Sequence, residues 1–452
     1  MNVEERLLAA TRAAAETVDE IRELELPAFP ARAGGRQTPP PGHWRAWAAP
    51  VVAAVAVIAL AVSLVIVKEI PKPIPASPAA SVNGVPRYYV ALKPGVSNSS
   101  IRNALVVGDV ITGSTLATIQ PPPGRSFFGV TGAADDRTFV VDTLPVQSQA
   151  DPNKPRTWYL LRLAPGTATP ARLTRLALPS LSSVSAVALS RSGDELAVAS
   201  GGDSDVGVGG LTGGPGVLRL YSVATGKLLR TWTSSDQFAF DGSPGYGETS
   251  ENNGDLTWVA DDHAIAFLSV GAAPGSTPQK TLRMETLHVV NLAARGDNLL
   301  GDSRVIWSQT YNPAGCTDGY NVLITADLKT IVCLSVTPPA GYPNGSPKKG
   351  AHWTLRWLAY STSAPATART LLTAMLNDEG VDSAPVPYAE WISTSGKTII
   401  AEWYSLSLRS APAHIHIGAV SNGQFTPLPI PVRILSGLEP GTPFGLRQSF
   451  GW

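Results

Sequence analysis

The sequence has little cysteine, little charge and no net charge, and each shortage makes some functions less probable. Only two cysteines occur among 452 residues, and none precedes Cys316. The N-terminal region therefore cannot hold a zinc site that uses cysteine ligands. Charged residues make up 15% of the chain, and 35 basic residues balance 35 acidic ones. Without a basic excess, nucleic acid is not expected as a partner.

The linear motifs of common catalytic sites are also missing. The chain contains no Gly-x-Ser-x-Gly elbow, no His-Glu-x-x-His helix and no glycine-rich dinucleotide-binding pattern. The Ser-Gly-Lys-Thr stretch at Ser395 ends like a phosphate-binding loop, but Trp391 stands where that loop needs its first glycine. Catalysis is therefore uncertain and less expected than binding, and no catalytic residue or metal ligand is assigned. Carboxylates from separate loops can still converge without a linear motif.

One hydrophobic run stands out near the N-terminus. Residues Ala48 to Val67 carry no charge, and as a helix they would match a hydrocarbon core of about 30 Å. Tryptophans precede the run and a lysine follows it, as is typical of interfacial anchors. The pattern predicts a transmembrane helix at 47–68 with membrane lipid as its partner. A cleaved signal peptide is the alternative, although signal cores are shorter and lie closer to the start of a chain.

The segments that flank this run suggest how the chain is oriented. Basic residues are slightly more numerous before the run, and a proline-rich linker follows at 69–85. The bias favours a cytoplasmic N-terminus in a single-pass cell-membrane protein, with the C-terminal domain outside the cytoplasm. Within the expected tail, 1–46, apolar residues from Asn2 to Leu26 recur at spacings of three and four, which predicts a short amphipathic helix. That helix is either solvated or a docking element for a cytoplasmic partner.

The rest of the chain contains a repeated turn. Five similar segments share a short polar turn between two apolar stretches, and they lie 57 to 69 residues apart; they begin at Asp135, Ser192, Asp261, Asp327 and Ser395. Each segment predicts a hairpin of two strands, A and B, and a second hairpin, C and D, follows each of them. Four-stranded sheets at a fixed period predict a β-propeller.

A sixth sheet is expected to join the two ends of the chain. A lone B strand begins at Pro86 and is followed by an outer hairpin from Asn103, but it has no A strand before it. The C-terminal segment Phe444 to Trp452 is the obvious donor, and its pairing with Tyr88 to Leu92 would close the ring and remove exposed sheet edges. The fold class predicted for 86–452 is therefore an all-β, six-bladed propeller. A seven-bladed propeller and a β-sandwich are the alternatives.

Two segments carry a resemblance to known blades. VALSRSGDELAVAS, followed by LRLYSVATGKLLRTW, resembles the blades of WD-repeat and lactonase-type propellers. The whole layout is similar to actinobacterial single-pass membrane proteins with such an ectodomain. The resemblance implies a fold over roughly 86–452. No blade carries the Trp-Asp or Gly-His pairs of WD repeats, so no functional residue is transferred.

The connections between strands are unequal in length, which predicts one elaborated face. The A–B and C–D turns are short, whereas several B–C and D–A connections are long, such as 201–216 and 235–254. Long loops on a rigid scaffold often bind ligands, although tolerance of insertions would give the same pattern. The candidate ligand residues are Asp203, Asp205, Phe238, Phe240, Asp241, Tyr246, Glu248, Glu251 and Asp255. Their oxygens would suit calcium, and their aromatic rings would stack on a sugar or peptide; solvated surface is the alternative.

The two cysteines flank one predicted A–B hairpin. An oxidising compartment favours a disulfide between Cys316 and Cys333. Cys333 is expected to face Val322 across the hairpin, so the bridge requires the segment from Asn312 to Gly319 to fold back.

Together these patterns predict a membrane-anchored extracytoplasmic propeller that acts as a binding, scaffold or sensory module for a protein or glycan ligand. No cofactor is expected apart from the calcium considered above. The alternative is a lactonase-like or glycan-cleaving hydrolase at the cell surface. A cluster of Asp, Glu or His with a metal at the channel mouth would favour the hydrolase, whereas an apolar channel would not.

Overall fold

The computed structural model describes the C-terminal part of the chain. The described ranges are 85–93, 96–97, 100–146, 155–164, 172–182, 184–200, 205–207, 210–212, 215–237, 239–240, 256–272, 283–310, 316, 322–339, 352–377, 386–405, 414–430 and 450–451. All of them belong to the second of two compact units, Pro75–Trp452. The expected tail helix, membrane span and most of the linker lie outside the described residues. Within those ranges, no helix has the length and apolar character needed to cross a bilayer.

Six antiparallel four-stranded sheets form the blades of a propeller. In each blade the strands follow the spatial order A, B, C, D. Blade 1 consists of β29 (Phe450–Gly451), β1 (Tyr88–Lys93), β4 (Ala104–Asp109) and β5 (Thr115–Ile119). Blade 2 consists of β6 (Arg125–Gly132), β7 (Thr138–Pro145), β8 (Thr157–Arg162) and β9 (Arg172–Arg175). Blade 3 consists of β10 (Val184–Leu189), β11 (Glu195–Ser200), β14 (Pro215–Ser222) and β15 (Leu228–Gln237).

The remaining blades follow the same plan. Blade 4 consists of β17 (Leu256–Val259), β18 (Ala264–Ala272), β19 (Arg283–Asn291) and β20 (Ser303–Thr310). Blade 5 consists of β21 (Leu323–Ile324), β22 (Thr330–Thr337), β23 (His352–Ser361) and β24 (Ala364–Asn377). Blade 6 consists of β25 (Val386–Ile392), β26 (Thr398–Ser405), β27 (His414–Ser421) and β28 (Gln424–Pro427). Neighbouring A strands contact each other around the centre, as β6, β10 and β17 do. The predicted six-bladed propeller is therefore confirmed.

The two ends of the chain meet in blade 1. Strand β29 pairs antiparallel with β1, so that Gly451 faces Val90 and Phe450 faces Ala91. The C-terminal strand thus supplies the A strand that the N-terminal part of blade 1 lacks, as the sequence predicted. The closure covers an edge of β1 that would otherwise carry unpaired backbone groups.

Five short strands lie where the sequence predicted loops. Strands β2 (Val96–Ser97) and β3 (Ser100–Ile101) pair within the B–C connection of blade 1. Strands β12 (Asp205–Gly207) and β13 (Gly210–Thr212) do the same in blade 3. Strand β16 (Ala239–Phe240) pairs with β18 beside β17. Local strand pairing satisfies the backbone hydrogen-bonding groups of these segments. The sequence did not predict it, because these short segments have no periodic apolar pattern.

The core lies between blades. Each sheet has buried apolar residues on both faces, which explains the nearly continuous apolar runs of the B strands. Trp158, Trp232 and Trp357 are fully buried, each in a different blade. Burial of one such side chain stabilises the fold by about 2 to 3 kcal/mol.

The outer C–D turns dock on the preceding blade. Gly226 has a φ of +69°, and a Cβ added there would lie 2.2 Å from the carbonyl oxygen of Ala177. Gly113 makes the same approach to Pro429. In blade 4 the contact is larger, because Thr233 of blade 3 bonds through its backbone with Asp297 and Leu299. These contacts link neighbouring blades at their outer edges.

The predicted disulfide is present. Cys316 and Cys333 are bonded, with their Cα atoms 5.6 Å apart. The register of blade 5 pairs Leu323 with Val332, which agrees with the expected position of Cys333 beside Val322. Both cysteines are buried in the apolar layer between blades 4 and 5.

Candidate functional site

The elaborated face predicted from the sequence stays untested. Of its nine candidate residues, Asp203, Phe238, Asp241, Tyr246, Glu248, Glu251 and Asp255 lie outside the described residues. Asp205 is in β12 and Phe240 is in β16, and the structure describes only their backbone. Whether these side chains share a ligand stays a prediction.

A cavity of about 190 Å³ lies in the channel, at the end where the A strands enter their A–B turns. We call this end the turn face, and the opposite end, with the long connections, the loop face. The channel cavity is lined by residues from five blades: Thr131, Gly132, Ala133, Ala134, Ala188, Leu189, Arg191, Leu256, Thr257, Trp258, Leu323, Ile324, Ala326, Trp391, Ile392 and Thr394. It is comparable in size to a cavity that holds one benzene ring, for which about 150 Å³ is enough.

The described lining residues are mostly small or apolar in type, although the surface that they present is about half polar. None of these described residues is Asp, Glu, His, Cys or Lys, and their hydroxyl groups come from threonines. A hydrolase would need a general base or a metal next to the substrate. Across the described ranges, no group of three metal-ligating side chains could hold an ion. The described lining therefore supplies one cationic group, threonine hydroxyls and apolar surface to the cavity.

Arg191 is the one charged residue of the lining, and its backbone is held from both sides. Its N–H donates to Oδ1 of Asp262 in the A–B turn of blade 4, at 2.9 Å. Its carbonyl oxygen accepts the N–H of Ala134 from blade 2, at 3.1 Å. The half-buried side chain is different, since its guanidinium makes no hydrogen bond or ion pair with any residue that the structure describes. The fixed backbone places Arg191, whose guanidinium has no partner among the described residues, in the lining of the cavity.

The A–B turn of blade 4, in which Asp262 accepts the N–H of Arg191, has an unusual backbone. Ala260, Asp261 and Asp262 all have positive φ, at 52°, 50° and 65°. The A–B turns of blades 3 and 6 instead place a single glycine at positive φ, Gly193 and Gly396. Left-handed conformation costs a non-glycine residue about 1 to 2 kcal/mol. The strained turn is stabilised by the contacts of Asp262, whose second oxygen accepts the N–H of Ser192 at 2.9 Å.

Acidic side chains surround the turns but do not line the cavity. Burial raises the pKa of Glu195, and the charges of Asp262 and Asp194 raise it further. Burial also raises the pKa of Asp136, whose carboxylate accepts the N–H of Arg87 at 2.7 Å. These carboxylates lie in turns between neighbouring blades. Among the described residues that line the cavity, Arg191 is the one that carries a charge.

Three carboxylates are buried in the blade walls away from the turn face. Asp142 pairs with Arg156 at 3.2 Å between blades 2 and 3, and Arg156 also donates to the carbonyl oxygen of Val184. Glu285 is 2% exposed on β19, and Glu402 is 8% exposed on β26. The three residues lie in separate blades, and Asp142 is neutralised by its ion pair. Among the described groups, these buried carboxylates are the best suited to a second candidate site, at the loop face.

A serine–histidine–serine arrangement in blade 4 is structural. Nε2 of His288 lies 3.0 Å from Oγ of Ser269, and Nδ1 lies 3.0 Å from Oγ of Ser303. The imidazole stacks on Phe267, and burial lowers the pKa of His288 to about 4. Ser269 is 7% exposed and lies within hydrogen-bond distance of His288, so the arrangement contributes to the interior of blade 4.

Sequence reasoning missed Arg191. Its turn was recognised as a repeat, but the short turns were expected to form the plain face. Arg191 directly precedes the repeated segment that begins at Ser192. At the same position, blades 2, 5 and 6 carry Ala134, Ala326 and Thr394. An alignment of the turns by position would have identified Arg191. The structure is needed to show that its guanidinium has no partner among the described residues.

Comparison with known proteins finds other propellers at great distance. No protein-family model matches the chain, and no curated protein matches it. An oligogalacturonate lyase in complex with manganese is 11% identical at a TM-score of 0.37, over 73% of this chain and 76% of that one. The periplasmic gluconolactonase of Pseudomonas aeruginosa is 14% identical at a TM-score of 0.31, over 76% of this chain and 99% of that one. An acylaminoacyl peptidase is 8% identical at a TM-score of 0.38, over 75% of this chain and half of its own.

These structural neighbours therefore include a lactonase, a lyase and a peptidase. At this identity the likeness concerns the fold, and the activities belong to those proteins.

Proposed function

We propose that the propeller is a ligand-binding module whose site is the channel cavity at the turn face. The observation that carries the proposal is the described lining, in which five blades contribute small or apolar side chains and one arginine without a partner among the described residues. No carboxylate, imidazole or thiol occurs among these described lining residues. A concave, mostly apolar site with a few polar groups is the usual form of a small-ligand pocket.

The cellular setting is part of the proposal. The helix predicted at 47–68 would anchor the propeller in the cell membrane, and the disulfide between Cys316 and Cys333 suits a compartment outside the cytoplasm. In this arrangement the helix at Asn2 to Leu26 would stand on the cytoplasmic side, where it would report ligand binding to a partner. Deletion of that helix should then change a partner or transcriptional readout, and an unchanged readout would reject the sensory role.

Blocking the cavity tests the binding function directly. Thr394 lines the cavity and is exposed, so Thr394→Trp should fill the entrance without disturbing the core. Ser395 is also exposed and does not line the cavity, which makes Ser395→Trp the matched control. We expect ligands found by screening small acids, glycans and peptides against the whole chain to lose binding to the first variant alone. A screen without hits at millimolar concentration, or hits unaffected by Thr394→Trp, would reject this site.

A propeller hydrolase is the second candidate, and buried carboxylates favour it. Glu285 and Glu402 are almost fully buried, and buried carboxylates are frequent at catalytic sites. Turnover of lactones or glycosides by the whole chain, abolished by Glu285→Gln or Glu402→Gln but retained in Thr394→Trp, would establish catalysis at the loop face. The absence of turnover across both substrate classes would leave the binding module.

A further inference from the structure

We propose that the channel cavity recognises a carboxylate attached to a small apolar group, with Arg191 as the residue that binds the charge. The inference deepens the proposed function, because it names the ligand class of the same site.

The charge of the cavity selects an anion. Arg191 is the one ionisable residue of the lining, and its guanidinium has no partner among the described residues. An unpaired, half-buried cation loses hydration without gaining an ion pair, so an anionic ligand would satisfy it. The planar guanidinium donates two parallel hydrogen bonds to a carboxylate, which makes that anion a good geometric match.

The other lining groups describe the rest of the ligand. Leu189, Leu256 and Ile324 provide an apolar wall, and Trp391 adds a partly buried aromatic surface. The hydroxyls of Thr257 and Thr394 form no hydrogen bond with a described residue and remain available to a second carboxylate oxygen. A volume of about 190 Å³ admits a group about the size of a benzene ring or a leucine side chain.

The position of Arg191 is fixed before a ligand binds. Hydrogen bonds from three consecutive blades hold its turn: Ala134 donates to its carbonyl oxygen, and the carboxylate of Asp262 accepts the N–H groups of Arg191 and Ser192. The strained turn around Asp262 serves this purpose, since it aims one carboxylate at two backbone donors of the preceding blade. Preorganisation of this kind reduces the entropy cost of binding.

Two sources would supply the same chemistry, a free carboxylic acid or the C-terminus of a peptide. Benzoate is the small-acid probe, and benzamide is its neutral counterpart of similar shape. The tripeptide Gly-Gly-Leu with a free C-terminus is the peptide probe, and its C-terminal amide is the counterpart. Binding of each to the whole chain is measured by isothermal titration calorimetry, and tighter binding of the free tripeptide than of benzoate would identify the source as a peptide terminus.

The decisive variant is Arg191→Gln, and Lys397→Gln is its control. Lys397 is exposed on the A–B turn of blade 6, so its loss removes one positive charge from the turn face without touching the lining. We expect Arg191→Gln to weaken carboxylate binding about 10- to 100-fold, as loss of a charged hydrogen bond implies, and Lys397→Gln to leave it within about twofold. The neutral probes should bind wild type as weakly as the carboxylates bind Arg191→Gln. The thermal midpoint of Arg191→Gln should match wild type, because the guanidinium has no partner to lose.

Three results would overturn the inference. Equal binding of benzoate and benzamide, or unchanged binding by Arg191→Gln, would show that the cavity does not select a carboxylate, while the effect of Thr394→Trp would still support a binding site there. Failure of every carboxylate probe to bind at about 10 mM would also reject the ligand class, since that concentration detects even weak complexes. Hits of another chemistry in the wider screen would then preserve the proposed function.

Discussion

At the scale of single residues, the clearest constraint is the glycine of an outer turn. Gly226 combines a φ of +69° with close approach to the carbonyl oxygen of Ala177, whereas Gly124 has nearly the same φ, +71°, with no atom within 4 Å of an added Cβ. The two positions therefore separate backbone strain from steric contact.

Replacement of these glycines by alanine should have unequal effects. Gly124→Ala pays for the left-handed backbone alone, about 1 kcal/mol, whereas Gly226→Ala must also displace the end of blade 2. We expect the second variant to lose on the order of 2 kcal/mol more free energy of unfolding than the first, within the range of overpacked sites. Chemical denaturation of both variants provides the measurement, and equal losses would mean that the turn does not press on Ala177.

His288 gives the protein a pH-dependent stability at the same scale. Burial keeps the imidazole neutral in the folded protein with a pKa of about 4, whereas an unfolded histidine has a pKa near 6.5. Between these values the unfolded chain binds more protons than the folded one, so its contribution to stability is complete above about pH 6.5 and is lost as the pH falls towards 4. The loss attributable to this residue is at most about 3 kcal/mol.

The variant His288→Gln should flatten that part of the stability profile, because glutamine does not titrate. Urea unfolding at pH values from about 7 to 4 measures the effect, and His352→Gln, at an exposed position of β23, is the control. A variant that keeps the full wild-type slope would assign the pH dependence to other groups.

At the scale of elements, the disulfide ties Cys316 to the B strand of blade 5. The bond links residues 17 positions apart. A cross-link that closes a loop of that length lowers the entropy of the unfolded chain, which stabilises the folded protein by about 3 kcal/mol. Unfolding of wild type in reductant should therefore require about 3 kcal/mol less than in its absence. A Cys316→Ala/Cys333→Ala variant should show no dependence on reductant, and a reductant effect in that variant would have another cause.

The elements also show how far the sequence reaches. The five inner hairpins were predictable because each combines a polar turn with nearly continuous apolar stretches on both sides, as in the turn that begins at Asp135. Strands β12 and β16 were not, because a few backbone pairings leave no apolar pattern in the sequence. The strained turn at Ala260 to Asp262 was not predictable either, since its cause is a contact with the neighbouring blade.

At the scale of the whole molecule, the sequence located the ring but not the site. The count of hairpins left blade 1 without an A strand, and simple chain topology required the C-terminus to supply it, as β29 does. The site follows a different logic. Arg191 and Asp262 are 71 residues apart and meet because consecutive blades place their turns side by side. Long loops can be recognised in the sequence. A cavity built from short turns cannot, because it depends on how the blades are arranged around the channel.

Ring closure leads to the last prediction. Removal of residues 444–452 deletes β29, leaving the backbone groups of Val90 and Ala91 without their partners on that edge. We expect the truncated chain to unfold at a temperature several degrees lower and to aggregate with rising concentration, since an unpaired strand edge can accept another chain. Removal of residues 1–74, the separate compact unit, takes away more of the chain but no described strand, and it should leave the unfolding temperature close to wild type. Thermal unfolding with light scattering measures both effects, and a synthetic peptide of residues 444–452 added in trans should restore part of the stability by pairing with β1. If the shortened protein unfolds like wild type and stays monomeric, the pairing of β29 with β1 is not what closes the propeller.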